Sequence, residues 1–410
     1  MKTSMKRSNL FATTSKKSEA DNHCKSAELA EKAGLVHNYG SGKFGLTNLG
    51  QRVLTNIESV IREEMNEIGQ EVTMNILQSS EMWKKSGRWK DFEGDEFFSF
   101  ENRDGKNFTI AATHEEASVE LTRKYIRSYR DLDLTIYQIG RKFRDDHARN
   151  GLLRTKEFKM KDAYSFHKDR EGLEKKYEEF LKAYRKIFNS LGLRYSVVEA
   201  DNGSMGGNRS HEFIAEAEIG SDTYKKCDNC EYGTKNLDKN QCEECNSDLR
   251  EVNGIEIGHC FQLGSRYSES MNLEYDTEDG ETKKVIMASY GIGVTRLISA
   301  IIEQNHDDQG ITWNEEVSAF EVGIILARHE DEVREKAEEV YQRFRENNIE
   351  VLLYDGDGST GEKFAESDLI GINRKVIIGQ KYLEEGKVEI ESRNGIKEAL
   401  SVKEVIKQLK

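Results

Sequence analysis

Between Arg141 and His167 the chain reads RKFRDDHARNGLLRTKEFKMKDAYSFH, two strand-like stretches separated by a polar, basic loop. From Arg141 to Lys161 eight Lys/Arg stand against three Asp/Glu, in a chain whose formal net charge is -14. A cationic strip on an acidic body points to an anion, most often phosphate. The arginines keep apolar company (Phe143-Arg144, Leu153-Arg154), which sets them on a sheet and not in a solvated coil. Guanidinium holds phosphate or carboxylate through two parallel hydrogen bonds. The competing reading is a solvated helix face carrying many charges.

The chain is 410 residues long, enough for two or three domains with ample core. It is 36% hydrophobic and 33% charged, with plentiful aromatics, which indicates a soluble globular protein and excludes a disordered one. No apolar run approaches a membrane span; the longest, near Val322–Ala327, suits a buried strand. Residues 1–17 hold five basic and no acidic side chains but no apolar signal core. Six cysteines in so long a chain make no disulfide scaffold, so the default compartment is the cytoplasm. Proline is absent altogether, where ordinary usage predicts about twenty. Drift does not produce that, and we read it as exclusion by design or by selection. The cost falls on turns that proline would stiffen.

Apolar periodicity predicts a helix over 46–69, stopped by Gly69, then a strand over 72–77. A hairpin is expected over 97–112, turning at Asp104-Gly105. Strands 134–144 and 153–162 bracket the cationic loop, and a helix follows over 171–193. Residues 220–250 are polar and carry four cysteines. Strands return at 254–263 and 283–290, then a helix over 293–304. Beyond 315–319 strands (322–327, 350–354, 375–378, 388–392) alternate with helices (329–346, 361–370, 402–409). That pattern means a small α/β domain with a mostly parallel sheet.

Three constellations carry chemistry. Thr113-His114-Glu115-Glu116 ends a strand; a hydroxyl and two carboxylates there hold an ammonium group or, equally, form a helix capping box. Phe143-Arg144-Asp145-Asp146 and Leu153-Arg154-Thr155-Lys156-Glu157-Phe158 flank the cationic loop. In Tyr290-Gly291-Ile292-Gly293-Val294-Thr295-Arg296 two glycines admit a close ligand, and Arg296 falls in the first turn of a helix whose N-terminus favours anions. Separately, Cys227-x2-Cys230 and Cys242-x2-Cys245 form a tetrathiolate signature for structural zinc, with reduced thiols or redox pairs as alternatives. Four thiolates leave no open position, which excludes a catalytic metal there.

In this order and spacing the three constellations resemble the active site of class II aminoacyl-tRNA synthetases, and in detail the prolyl-tRNA synthetases of the bacterial type. The segment Lys161 to His167, Gly206-Gly207 with Ser210-His211-Glu212-Phe213, and Gly254 to Ser268 also resemble that family's landmarks. The resemblance implies an α+β fold: an antiparallel catalytic sheet flanked by helices, plus a C-terminal α/β anticodon-binding domain. It divides the chain into catalytic parts 1–219 and 251–316, a cysteine-rich, zinc-ribbon-like insertion 220–250, and an anticodon-binding domain 317–410. The basic N-terminus then belongs to the fold and is not a cleaved leader.

The implied activity is ATP-dependent attachment of L-proline to tRNA(Pro) through prolyl-adenylate, by a cytoplasmic homodimer using Mg2+ and making no membrane contact. By that likeness Arg144, Arg154 and Arg296 are catalytic. Thr113, Glu115, Arg154, His259 and Phe261 bind proline. Arg144, Asp146, Thr155, Glu256, Thr295 and Arg296 bind ATP. The rival reading is a binding or regulatory homologue that has lost tRNA charging.

The chain departs from the family pattern in several respects. Asn75, Ala112, Asn314, Ala319 and Asn373 stand where the family usually has proline. Asp146 replaces a glutamate. Asp355-Gly356-Asp357-Gly358-Ser359-Thr360-Gly361 lacks two arginines expected to read anticodon bases, contacts worth roughly 1–3 kcal/mol each. A segment of about thirty residues replaces a large editing domain, which implies alanyl-tRNA that is not cleared in cis. Pockets separate residues as alike as proline and alanine by only about 10–200-fold.

Overall fold

The computed structural model describes residues 5–20, 23–92, 97–200 and 209–410. The architecture is α+β and falls into two compact units, Met1–Tyr39 with Gly45–Asn56 and Ile301–Lys410, and Gly40–Phe44 with Ile57–Ala300.

The second unit is organised by a nine-stranded sheet. Its centre is antiparallel: Leu134–Phe143 pairs with Glu157–His167, which pairs with Ile286–Ile292, which pairs with Leu249–Gly264. The strand Leu249–Gly264 also pairs with Arg209–Glu216 and with Asp222–Cys227. Both strands expected around the cationic loop are therefore present and are neighbours. The expected strand over 72–77 is not. Gln70–Glu71 and Leu77–Ser79 are separate short strands, because Val72 already donates its N–H to the Tyr137 carbonyl at the sheet edge.

One helix, Arg170–Ser190, covers a face of this sheet. Asp169 caps it by accepting from the Gly172 N–H, and Leu173, Tyr177, Phe180, Tyr184 and Ile187 recur at helical spacing and are buried. Phe180 stacks on Tyr290 with ring centroids 3.5 Å apart. The helix lies so close that a Cβ at Gly258 would stand 2.9 Å from the Phe188 ring, so glycine is required one residue before His259. The expected hairpin is Ser99–Glu101 against Asn107–Ile110, with Gly105 at φ 73° in its turn.

In the first unit a six-stranded sheet runs Met5–Lys6, Val351–Tyr354, Val322–Leu326, Arg374–Ile378, Lys387–Ser392, Lys397–Ser401. The first four strands are parallel and the last two join antiparallel. Helices Asp331–Glu346 and Val402–Gln408 bury Val333, Ala337, Val340, Phe344, Val402 and Val405 against it. The edge strand Lys397–Ser401 gave no periodic signal because none of its side chains is fully buried.

Candidate active site

The cationic strip turns out to be largely self-neutralised. Arg141 pairs with Glu157, Lys142 with Asp162, Arg154 with Asp146, Lys156 with Asp145, and Lys159 with Glu58. Lys161 is buried; it donates to the Tyr184 hydroxyl at 2.6 Å and the Tyr290 carbonyl at 3.2 Å, and burial lowers it to about 7. Arg144 differs. Its Nε donates to the Ala112 carbonyl at 3.2 Å, and among the described residues no carboxylate pairs with it. A guanidinium anchored by one nitrogen, without a counter-charge, is set up to take an anion with the other two.

Arg144 lines a cavity of about 360 Å³ together with Arg154 and Arg296. Arg296 comes from the helix Val294–Gln304, directly after the strand Ile286–Ile292. Its Nε donates to the Leu153 carbonyl at 2.9 Å and one η nitrogen to the Glu256 carbonyl at 2.8 Å, so backbone from two other segments aims it. Burial lowers the Arg296 pKa; Glu256 opposes this, while Arg144 and Arg154 reinforce it. Three guanidinium groups thus feel one another across one space, which favours a polyanion in it. Arg154 is held by Asp146 through Nε and Nη2 at 2.9 and 2.7 Å. Asp146 and Thr155 line the same cavity, the Thr155 hydroxyl donating to the Glu157 carbonyl.

The same cavity also carries a hydroxyl and a carboxylate. Thr113 and Glu115 line it, with the Thr113 hydroxyl 2.6 Å from Glu115 Oε2. The capping-box reading fails here: the N-cap of helix Glu115–Thr122 is His114, without a side-chain cap bond. Glu116 instead meets Arg88, as does Glu115. One η nitrogen of Arg88 lies 3.2 Å from Glu115 and 3.3 Å from Glu116. The Ser86 hydroxyl donates to Glu116 at 2.7 Å. Two carboxylates thus share one guanidinium, and Glu115 is the one of the two that also lines the cavity, where an ammonium could reach it. His114 is also committed: its Nε2 bonds the Asn75 carbonyl, and burial, helped by Lys142, lowers it to about 4, so it is neutral at pH 7.

Glu256, His259 and Phe261 form a third wall on the strand Leu249–Gly264. His259 stacks on Phe261 at 3.7 Å, and its ring nitrogens contact Ser210 Oγ at 2.6 Å and Glu256 Oε1 at 3.1 Å. Thr295 is the one expected residue that does not line the cavity. Its hydroxyl accepts from the Lys159 N–H at 2.8 Å and ties helix to sheet. Gly206 and Gly207 lie outside the described residues.

Sequence reasoning missed Arg88, Asp162 and Tyr164, all on the cavity wall. Asp162 accepts from Lys142, Gln138 and Tyr164 at 2.7, 3.0 and 2.8 Å, a fully paired buried carboxylate. Only the identity of Gly87, which ends helix Ser80–Ser86 at φ 83°, hinted that Arg88 turns inward.

Away from the cavity, Cys227, Cys230, Cys242 and Cys245 place their sulfurs within 4.8 Å of one another. Individual separations are 3.4, 3.5 and 3.8 Å. Thiolates about 2.3 Å from a tetrahedral zinc stand roughly 3.8 Å apart. A disulfide would need about 2.05 Å. The geometry fits one shared metal.

Comparison with known proteins places the chain in a family. The model of the class II tRNA synthetase core domain (G, H, P, S and T) matches residues 98–305, and that of the anticodon binding domain matches 321–410. The proline–tRNA ligase of Wolbachia sp. subsp. Drosophila simulans is 38% identical with 95% of each chain covered, and that of Sulfurimonas denitrificans 36% identical with 97% of each. That of Halothermothrix orenii is 33% identical with 99% of each covered. That alignment runs over 562 positions, far more than the 410 residues here, so this relative carries extra internal sequence. A crystal structure of prolyl-tRNA synthetase from Cryptosporidium parvum, complexed with halofuginone and AMPPNP, shares the fold with a TM-score of 0.77. It is 18% identical and covers 94% of this chain and 74% of that one.

Proposed function

The chain belongs to the proline–tRNA ligase family of class II aminoacyl-tRNA synthetases, and on that premise we propose how its own residues divide the work of joining L-proline to tRNA(Pro). ATP is the co-substrate. The observation that carries the proposal is one cavity lined both by Arg144, Arg154 and Arg296 and by Thr113 with Glu115.

Thr113 and Glu115 accept hydrogen bonds from the secondary ammonium of proline, and the Phe261–His259 wall packs on its ring. A proline carboxylate oxygen then attacks the α-phosphorus of ATP and pyrophosphate leaves. Arg144 stabilises the charge on the α-phosphate in the five-coordinate transition state, and Arg296 holds the γ-phosphate. Arg154, aimed by Asp146, holds the proline carboxylate or a phosphate oxygen. In the second step a 3′-terminal ribose hydroxyl of tRNA attacks the prolyl carbonyl and AMP leaves. Neither step needs a protein nucleophile; orientation and charge carry the acceleration. Glu256 on the cavity wall offers the hard oxygen donors that Mg2+ takes, and Mg2+ supplies charge neutralisation when bound with the triphosphate. The work takes place in the cytoplasm.

The same reading includes a homodimer. The exposed large hydrophobics Leu77, Leu121 and Tyr125 line one groove in the second unit with Phe108, on which the exposed Phe100 stacks, a surface suited to a second copy. No helix among the described residues is long and apolar enough to cross a membrane. Proline-dependent ATP–pyrophosphate exchange followed by charging of a tRNA(Pro) transcript tests the proposal, and exchange that ignores proline would refute it. Without a cis-editing domain, alanyl-tRNA(Pro) formed in a parallel assay persists; its rapid clearance would show editing from within this chain.

The four thiolates hold a structural zinc. Metal analysis of freshly made protein is expected to find about one equivalent, and zinc removal to lower the melting temperature, as for other closed tetrathiolate sites. Less than half an equivalent would overturn this assignment.

A further inference from the structure

The four-cysteine segment is not a detached ribbon. Its strand Tyr232–Thr234 lies inside the catalytic sheet, parallel to Tyr195–Glu199 and antiparallel to Asp222–Cys227. The cysteines sit where three of these strands begin or end. Cys227 closes Asp222–Cys227, Cys230 precedes Tyr232–Thr234, and Cys242 and Cys245 precede Leu249–Gly264. That last strand also carries Glu256, His259 and Phe261. One metal would therefore pin the ends of three strands of this sheet, one of which reaches the substrate cavity.

Lys235 follows Thr234 directly. Its Nζ stands 2.6 Å from Glu212 Oε2 and 3.6 Å from Asp222 Oδ1. Glu212 is the cross-strand partner of His259, and its other oxygen lies 4.0 Å from His259 Nδ1, the nitrogen that also meets Glu256 at 3.1 Å. Burial, then the neighbouring Glu256 charge, raises the Glu212 pKa, and Lys235 counters both. Glu212 and Glu256 thus face the same imidazole, and Lys235 neutralises the deeper one. Without it, two like charges would compete for one ring nitrogen, and the ring that stacks on Phe261 would lose its fixed setting.

We propose that Lys235 is a positioning residue of the proline pocket: it transmits the order of the metal-bound four-cysteine cluster through Glu212 to His259. The inference rests on the assignment of His259 to the proline pocket. It makes the metal part of the pocket's stiffness, beyond a brace for local folding.

The test is a thermodynamic cycle on the full chain, with L-proline affinity read by titration calorimetry, independently of turnover. Lys235→Met is expected to weaken proline binding about fivefold, in keeping with a half-exposed ion pair to a buried carboxylate. ATP affinity and kcat for exchange should change less than about twofold, and Lys235→Arg should restore proline affinity. Chelator-stripped wild type should show the same loss of proline affinity as Lys235→Met. Stripping Lys235→Met should add little, because both changes break one path. Additive losses, or unchanged affinity in Lys235→Met, would overturn the proposal while leaving the enzyme assignment intact. Zinc-loaded wild type that binds no proline would overturn the pocket assignment and this inference with it.

Discussion

Arg144→Ala is expected to reduce proline-dependent ATP–pyrophosphate exchange by a factor of about a hundred to a thousand, because losing one pre-organised donor to developing charge costs roughly 3–4 kcal/mol. Arg144 makes no ion pair with any described carboxylate; its guanidinium donates to the Ala112 carbonyl and lies over the Phe158 ring at 5.5 Å, contacts modest enough for the fold to survive their loss. The variant should melt within a few degrees of wild type and keep its proline affinity. Arg144→Lys should recover little, since an ammonium cannot offer a fixed fork with one nitrogen anchored to backbone. Exchange at near-normal rate in Arg144→Ala would remove the reason for placing a phosphate in this cavity.

Arg88→Met should act on the fold itself. Arg88 is 1% exposed, its η nitrogen bridges Glu115 and Glu116, and its guanidinium lies over the Trp83 and Tyr267 rings at 5.0 and 5.5 Å. Removing one partner of a buried ionic group costs about 3–5 kcal/mol, because the carboxylates remain without a cation. The expected pH dependence has a definite sign. Burial already raises Glu116 above its ordinary 4.5, and losing Arg88 raises it further. A carboxyl raised in the folded state binds its proton more tightly there than when unfolded. Stability therefore falls as pH rises from 4.5 through the folded value, and the penalty is complete above it. The deficit should be largest at pH 7 and shrink toward pH 4.5, measured by denaturant unfolding of variant and wild type at both. A deficit below ~1 kcal/mol, the range of an exposed pair, or one independent of pH would show that the two carboxylates do not need this cation.

The two predictions separate what was legible in the residues from what was not. Arg144 and Arg296 stand out from their neighbours as arginine beside phenylalanine at a strand end and arginine after a glycine turn. Both reach one cavity. The four-cysteine cluster was legible for the same reason, since CxxC spacing places paired thiolates locally and only the meeting of the pairs needs the fold. Helices Asn48–Asn66, Arg170–Ser190 and Val294–Gln304 fall where their apolar spacing predicts, because a buried stripe at period 3.6 is a local property.

The tertiary structure alone decided which charges are available. The chain does not show which of the eight basic residues between Arg141 and Lys161 are already paired. In the sheet, Lys142 meets Asp162 and Lys159 meets Glu58 across strand register or from a distant helix, and Arg144 is left without a carboxylate partner among the described residues. Arg88, which pairs with both Glu115 and Glu116, comes from a turn after a short helix, and Lys235 reaches Glu212 only because Tyr232–Thr234 joins the same sheet. Residue type and local spacing determine which groups a chain can offer. Pairing energy depends steeply on distances of a few ångströms, and those are set by strand register between residues far apart in sequence. So the chemistry could be read from the order of amino acids, whereas its electrostatic balance required the folded molecule.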